Sequence, residues 1–174
     1  MKPLVENAAS IRTHTQDFGL KTTRLLESAL QPYTVPVFGI ACSTLKTHCK
    51  SKPTVAECEA LAQVILENLN APLIVRSSAL SEDGSTSAHA GEYQSVVAQS
   101  NAAVTSAVLQ VLIDAYEKNH DLGTFSLLIQ PYMKPTQSGV LFTRDPHGGI
   151  LSVIAWNDGA ATDVVMGKQS NEHV

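Results

Sequence analysis

Two segments of the chain repeat apolar residues at helical spacing. In VAECEALAQVILENL, Val55, Leu61, Ala62, Ile65 and Leu69 recur on one face, and Asn70 closes the run. Thr54, with Glu57 three residues on, forms a capping-box pattern in front of it. A second helix is predicted from Asn101, as its cap, to about His120, with Val104, Ala107, Val108, Val111, Leu112 and Ala115 as an apolar stripe. A third, shorter pattern covers Gly19 to Leu30, where Leu20, Leu25, Leu26, Ala29 and Leu30 fall close together and Pro32 ends the run. Strand patterns are different: VPVFGI (35–40) and PLIVRSS (72–78) are short, β-branched and bounded by proline or small polar residues. After Asp121-Leu-Gly the period changes, and FSLLIQPYM, SGVLFTRD and GGILSVIAWN all read as strands. These patterns predict an α+β fold of two small lobes: an N-terminal lobe over 1–123, with the boundary near Gly123, then a strand that acts as a hinge and a partial C-terminal lobe over 124–174.

Composition narrows the partners. The apolar fraction of 44% supports a core, and the aromatic fraction of 5% means that Ala, Val, Leu and Ile build it. A formal charge of −4 offers no basic face for a nucleic-acid backbone or an anionic membrane, so neither is expected as a partner. No window has the length needed to cross a bilayer, and the expectation is a soluble, cytoplasmic protein. Cys42, Cys49 and Cys58 have neither the paired spacing of a zinc site nor the even count of a disulfide framework, and read as reduced thiols.

The stretch IVRSSALSEDGSTSAHAGE (74–92) carries the first chemical signal. A strand ends on Arg76 and runs into small and hydroxylic residues, which is either a solvated connection or a cradle for phosphate. A phosphate ligand needs close backbone N–H groups, unobstructive side chains, hydroxyls and a fixed cation, and this run holds all of them. Arginine suits the last role because its planar fork grips two oxygens and its charge does not titrate. The chain has no GxxxxGK[ST] and no GxGxxG, which excludes the P-loop and dinucleotide signatures. His89, His120 and His147, with Glu82 and Asp83, read as solvated loop or helix-end residues, and Trp156 as packing.

Read in order, the elements GxK at Gly19–Lys21, VPVFGI, VRSSALSED followed by AGEYQSVV, IQPYM, SGVLFTRDP, AW and DVVMG resemble the N-terminal ATP-binding domain of the phosphoenolpyruvate synthase and pyruvate phosphate dikinase family. The resemblance implies an ATP-grasp-like fold with the nucleotide between two lobes. It implies that Lys21, Arg76 and Arg144 hold and activate the phosphates of ATP, with Ser77 and Ser78 beside them. Gln130, Pro131, Tyr132 and Met133 would form the hinge that meets the adenine. It further implies Mg2+ and transfer of phosphate to a histidine on a separate carrier domain or partner protein. Where the family has a glutamate before its DVV element this chain has Thr162, so Asp163 or Asp158 is the expected metal ligand. The region before IQPYM is shorter than in the family, and no phosphohistidine carrier or phosphoenolpyruvate barrel is recognisable in the 174 residues. The alternative reading is a non-catalytic nucleotide sensor or interaction module that keeps the fold.

Overall fold

The computed structural model describes residues 5–27, 35–80, 94–119, 121–143, 152–159, 164 and 171–173. Its elements in chain order are β1 (Glu6–Asn7), α1 (Ala8–Ile11), a 3-10 turn (Thr15–Asp17), α2 (Leu20–Leu25), β2 (Phe38–Ile40), α3 (Cys42–His48), α4 (Val55–Asn68), β3 (Leu73–Ala79), β4 (Ser95–Ala98), α5 (Val104–Asn119), β5 (Phe125–Pro131), β6 (Gln137–Phe142), β7 (Val153–Asp158) and β8 (Asn171–His173). Helices and two antiparallel sheets make the class α+β. Among the described residues no helix is long and apolar enough to cross a membrane.

The first unit spans Met1–Tyr132 and the second Met133–Val174. The division falls after Tyr132 rather than near Gly123, because β5 is paired on both sides within the first sheet. That sheet has the order β1-β2-β5-β3-β4, with β5 between β2 and β3. The strand assigned from the sequence to the hinge therefore belongs to the first unit as far as Tyr132, and Met133 begins the second.

Alternation along the central strands sends successive side chains to opposite faces. Leu73, Val75 and Ala79 of β3, with Phe125, Leu127 and Ile129 of β5, enter the larger core, together with Leu61 and Ile65 of α4 and Val108, Val111 and Leu112 of α5. Leu128 enters a smaller core on the other face, with Ile11, Phe18, Leu26, Val37 and Ala41. The second unit contains the sheet β6-β7-β8, in which Gly139 lies opposite Trp156. A Cβ on Gly139 would stand 2.5 Å from the Ala155 carbonyl oxygen and 2.8 Å from the Trp156 Cβ, so the glycine lets β7 approach closely.

The two long helices follow their sequence patterns. Thr54 Oγ1 accepts from the Glu57 amide and the Glu57 carboxylate accepts from the Thr54 amide, which completes the capping box of α4. The Thr54 hydroxyl also donates to the Glu57 carboxylate at 2.7 Å, and this bond, then that from the Thr54 amide, with a smaller contribution from His48, holds the Glu57 carboxyl below its ordinary range. The residue expected to cap the other helix, Asn101, does something else: it begins a 3-10 turn, and its Oδ1 accepts from the Ala71 amide at 2.9 Å, tying the entry of β3 to the helix start. The predicted helix from Gly19 is also shorter, ending at Leu25 when the Leu26 amide closes an i−3 turn on Thr23 O.

Candidate functional site

The site is built on β3 and β5, and the register fixes its faces. Ile74 pairs with Gln130, Arg76 with Leu128 and Ser78 with Ser126, so these six side chains share one face of the sheet. It is the face of the smaller core and of α2. Gln130 is buried at 6% exposure, while Arg76 is half-buried with its Nε shielded from solvent. From the Ile74–Gln130 pair to the Ser78–Ser126 pair is four residues, about 13 Å along the strands.

Helix α2 brings Lys21 to the same strand. Gly19 is its N-cap, and a Cβ there would lie 2.4 Å from the Ser78 and Ala79 carbonyl oxygens, so only glycine permits this approach. Lys21 Nζ donates to Ser77 O at 3.0 Å, just beyond the last β4 pair, Arg76 with Ser95. A lysine 56 residues distant in sequence is thus held next to Arg76 on the strand. Its ammonium carries three donors, and the Ser77 carbonyl takes one of them.

The serines after Arg76 are turned into the fold. Ser77 is buried among the aliphatic residues facing α4 and α5, and its hydroxyl has no hydrogen-bond partner; its carbonyl, not its side chain, serves Lys21. Ser78 is fully buried, and its Oγ accepts from the Thr22 amide at 3.1 Å. A buried hydroxyl without a partner contributes nothing to stability. Ser77→Ala is therefore expected to leave unfolding free energy unchanged or raise it by up to about 1 kcal/mol, and to leave ATP affinity unchanged. Urea unfolding and calorimetric titration check it, and a fall in ATP affinity would return the hydroxyl to the ligand.

At the other end of β5, Pro131 closes the strand opposite Leu73, and the Tyr132 amide donates to Pro72 O at 2.8 Å. Met133 is 69% exposed and begins the second unit. Lys21, Arg76, Gln130 and Pro131 thus lie in one unit, on one helix and two paired strands, with Tyr132 directly after β5. Arg144 and Asp163 lie outside the described residues, as do Thr162, His89, His120, His147, Glu82 and Asp83. Asp158 ends β7 in the second unit, exposed, with Oδ1 accepting from Gln137 Nε2 at 3.1 Å. Magnesium needs only one or two protein carboxylates when phosphates supply the other oxygens, and an exposed carboxylate with one weakly engaged oxygen fits that demand. Among the described residues no three His, Cys, Asp or Glu side chains gather as a metal centre.

The cysteines stand apart from this chemistry. All three are free and buried. Burial, with Asp17 nearby, pushes the Cys42 thiol up to about 12. Burial and Glu57 push Cys49 up to about 11, and burial, Cys49 and Glu57 push Cys58 up to about 12. Thiols held protonated in this way are poor nucleophiles. His48 beside them is engaged with the Glu57 carbonyl at 3.1 Å.

Sequence reasoning missed Ser126 and Gly19 as a pair. Ser126 is fully buried in the strand FSLLIQP, and its hydroxyl bridges the Gly19 amide and Ser78 O, each at 3.2 Å. A hydroxyl in an otherwise apolar strand was the available signal.

Residues 51–174 match the family described as the pyruvate phosphate dikinase AMP/ATP-binding domain. The matched segment contains Arg76, the 130–133 segment and Arg144, while Gly19 and Lys21 precede it. No curated protein gives a significant match to the chain.

Proposed function

This chain belongs to the pyruvate phosphate dikinase AMP/ATP-binding domain family, with an α+β, ATP-grasp-like fold, and from that premise we propose how its residues take the nucleotide and what they do with it. Lys21 and Arg76 hold the phosphates of ATP, with Arg144 as a third cation. Gln130 and the Pro131–Met133 backbone receive the adenine. Ser77 acts through its carbonyl, which orients Lys21, and Ser78 through the amide it holds. Asp158 and Asp163 would hold Mg2+, which when bound neutralises charge on the phosphates. The reaction is phosphoryl transfer to a histidine of a separate carrier domain or partner chain, in the cytoplasm. The protein's part in such a transfer is positioning and charge neutralisation, because the imidazole nitrogen forms the new bond to phosphorus as the bond to the departing nucleotide breaks.

The observation that carries this reading is the Lys21 ammonium seated on the carbonyl of Ser77, one residue from Arg76, on a strand whose partner runs directly into residues 130–133. Calorimetric titration of the full chain with ATP, with and without Mg2+, tests it. Binding that strengthens with Mg2+ is expected, and a native chain that binds no ATP would overturn the reading. A second reading, nucleotide binding without turnover, is favoured by Thr162 standing where the resemblance calls for glutamate. Its mark is ATP binding indifferent to Mg2+ and no transfer to any carrier histidine.

A further inference from the structure

Residues Gly19 to Thr22 are fastened to the sheet by two buried hydroxyls. Ser126 Oγ accepts the Gly19 amide and donates to Ser78 O, both at 3.2 Å, and Ser78 Oγ accepts the Thr22 amide at 3.1 Å. Both serines are fully buried and directly opposed across the β3–β5 ladder. Hydroxyls are costly at such positions unless each has partners, and here the partners are the two amides that flank the start of α2. The Gly19 amide precedes the helix's own hydrogen bonds, and the Thr22 amide is shared between Ser78 Oγ and the Gly19 carbonyl, each at 3.1 Å. The contact is also too close for any other residue at Gly19, because a Cβ would collide with the backbone of Ser78 and Ala79. Lys21 lies between the two anchored amides, and its ammonium ends on the carbonyl of Ser77.

We infer that Ser126, with Ser78, is a positioning residue for nucleotide phosphates: it touches no ligand, but it sets where Lys21 stands relative to Arg76. The inference rests on the reading above that Lys21 and Arg76 meet the phosphates of ATP. It separates two tasks that a serine on this strand can perform, since a hydroxyl that only supported the fold would act on stability without regard to what residue 21 is.

A double-mutant cycle on the full chain, read by calorimetric titration with Mg-ATP, makes that separation. Ser126→Ala leaves the Gly19 amide unheld, and is expected to weaken ATP binding about fivefold to tenfold in the native background. In the Lys21→Gln background the same change is expected to have less than about a twofold effect, because the group it positions is gone. Equal losses in both backgrounds, or no loss in the native one, would overturn the inference. A native chain that does not bind ATP would instead remove the reading on which it rests, so the two failures are distinct. If the Ser126→Ala chain does not fold by circular dichroism, Ser78→Ala, which releases the other amide, runs the same cycle with the same deciding outcomes.

Discussion

Replacing Arg76 by alanine is expected to weaken ATP binding by roughly 2 to 4 kcal/mol, a factor of about 30 to 1,000 in the dissociation constant. The size follows from where the guanidinium starts. The residue leaves the middle of a strand that is paired on both sides, with Ser95 and with Leu128, so its backbone is held rigidly. Its Nε is shielded from solvent, and charge-assisted hydrogen bonds formed by partly desolvated groups exceed those made in water. Arg76→Lys keeps the charge but loses the planar fork, and an intermediate loss is expected. Titration calorimetry at fixed ionic strength measures both, with urea unfolding to establish that the variants fold. An Arg76→Ala chain that binds ATP within about threefold of the native chain would remove Arg76 from the phosphates.

Leu127→Ala is expected to cost about 2 to 5 kcal/mol of unfolding free energy. Leu127 is fully buried in the larger core, on the strand that joins β2 to β3, opposite both Ile40 and Ser77. Shortening it removes apolar contact and leaves a cavity between the sheet and the α4–α5 layer, in a core close-packed with Ile, Leu and Val side chains. The measurement is the urea midpoint at an unchanged slope. A loss below about 1 kcal/mol would mean that the core closes over the gap. Because β5 also carries Ser126 and Gln130, this variant is expected to lose nucleotide affinity in proportion to its unfolded fraction, whereas Arg76→Ala loses it while folded.

The pattern of apolar residues made α4, α5, β3 and β5 legible because each has its own local signal: a capping box, a 3.6-residue stripe or a run of aliphatic residues. Helix α3 has no such signal. It is short, and its first turn is held from outside, with Asp17 accepting from the Ser43 amide at 2.9 Å across 26 residues. The segment 6–17 was equally unreadable, since β1 exists only by pairing with β2 and α1 is a single turn packed through Ile11. Edge strands and single turns are stabilised by tertiary contact rather than by their own propensity, and a local reading cannot find them. The boundary near Gly123 misplaced β5 for a related reason: the change of period marks where strands begin, while pairing partners decide which sheet a strand joins.

The residue types of the candidate site were equally visible in the linear chain, as a strand delivering Arg76, a lysine following a glycine, and a second strand ending in Gln-Pro-Tyr-Met. Chemistry of side chains is local, so order and identity were enough to nominate them. What only the folded chain decided is which groups meet. Antiparallel pairing of β3 with β5 put Ser78 opposite Ser126, alternation turned the Ser77 hydroxyl away from Arg76, and a glycine without a Cβ let α2 come close enough for Lys21 to reach the same strand. The first and the last of these join residues dozens of positions apart, and such contacts are fixed by register and packing, which no single stretch of sequence contains.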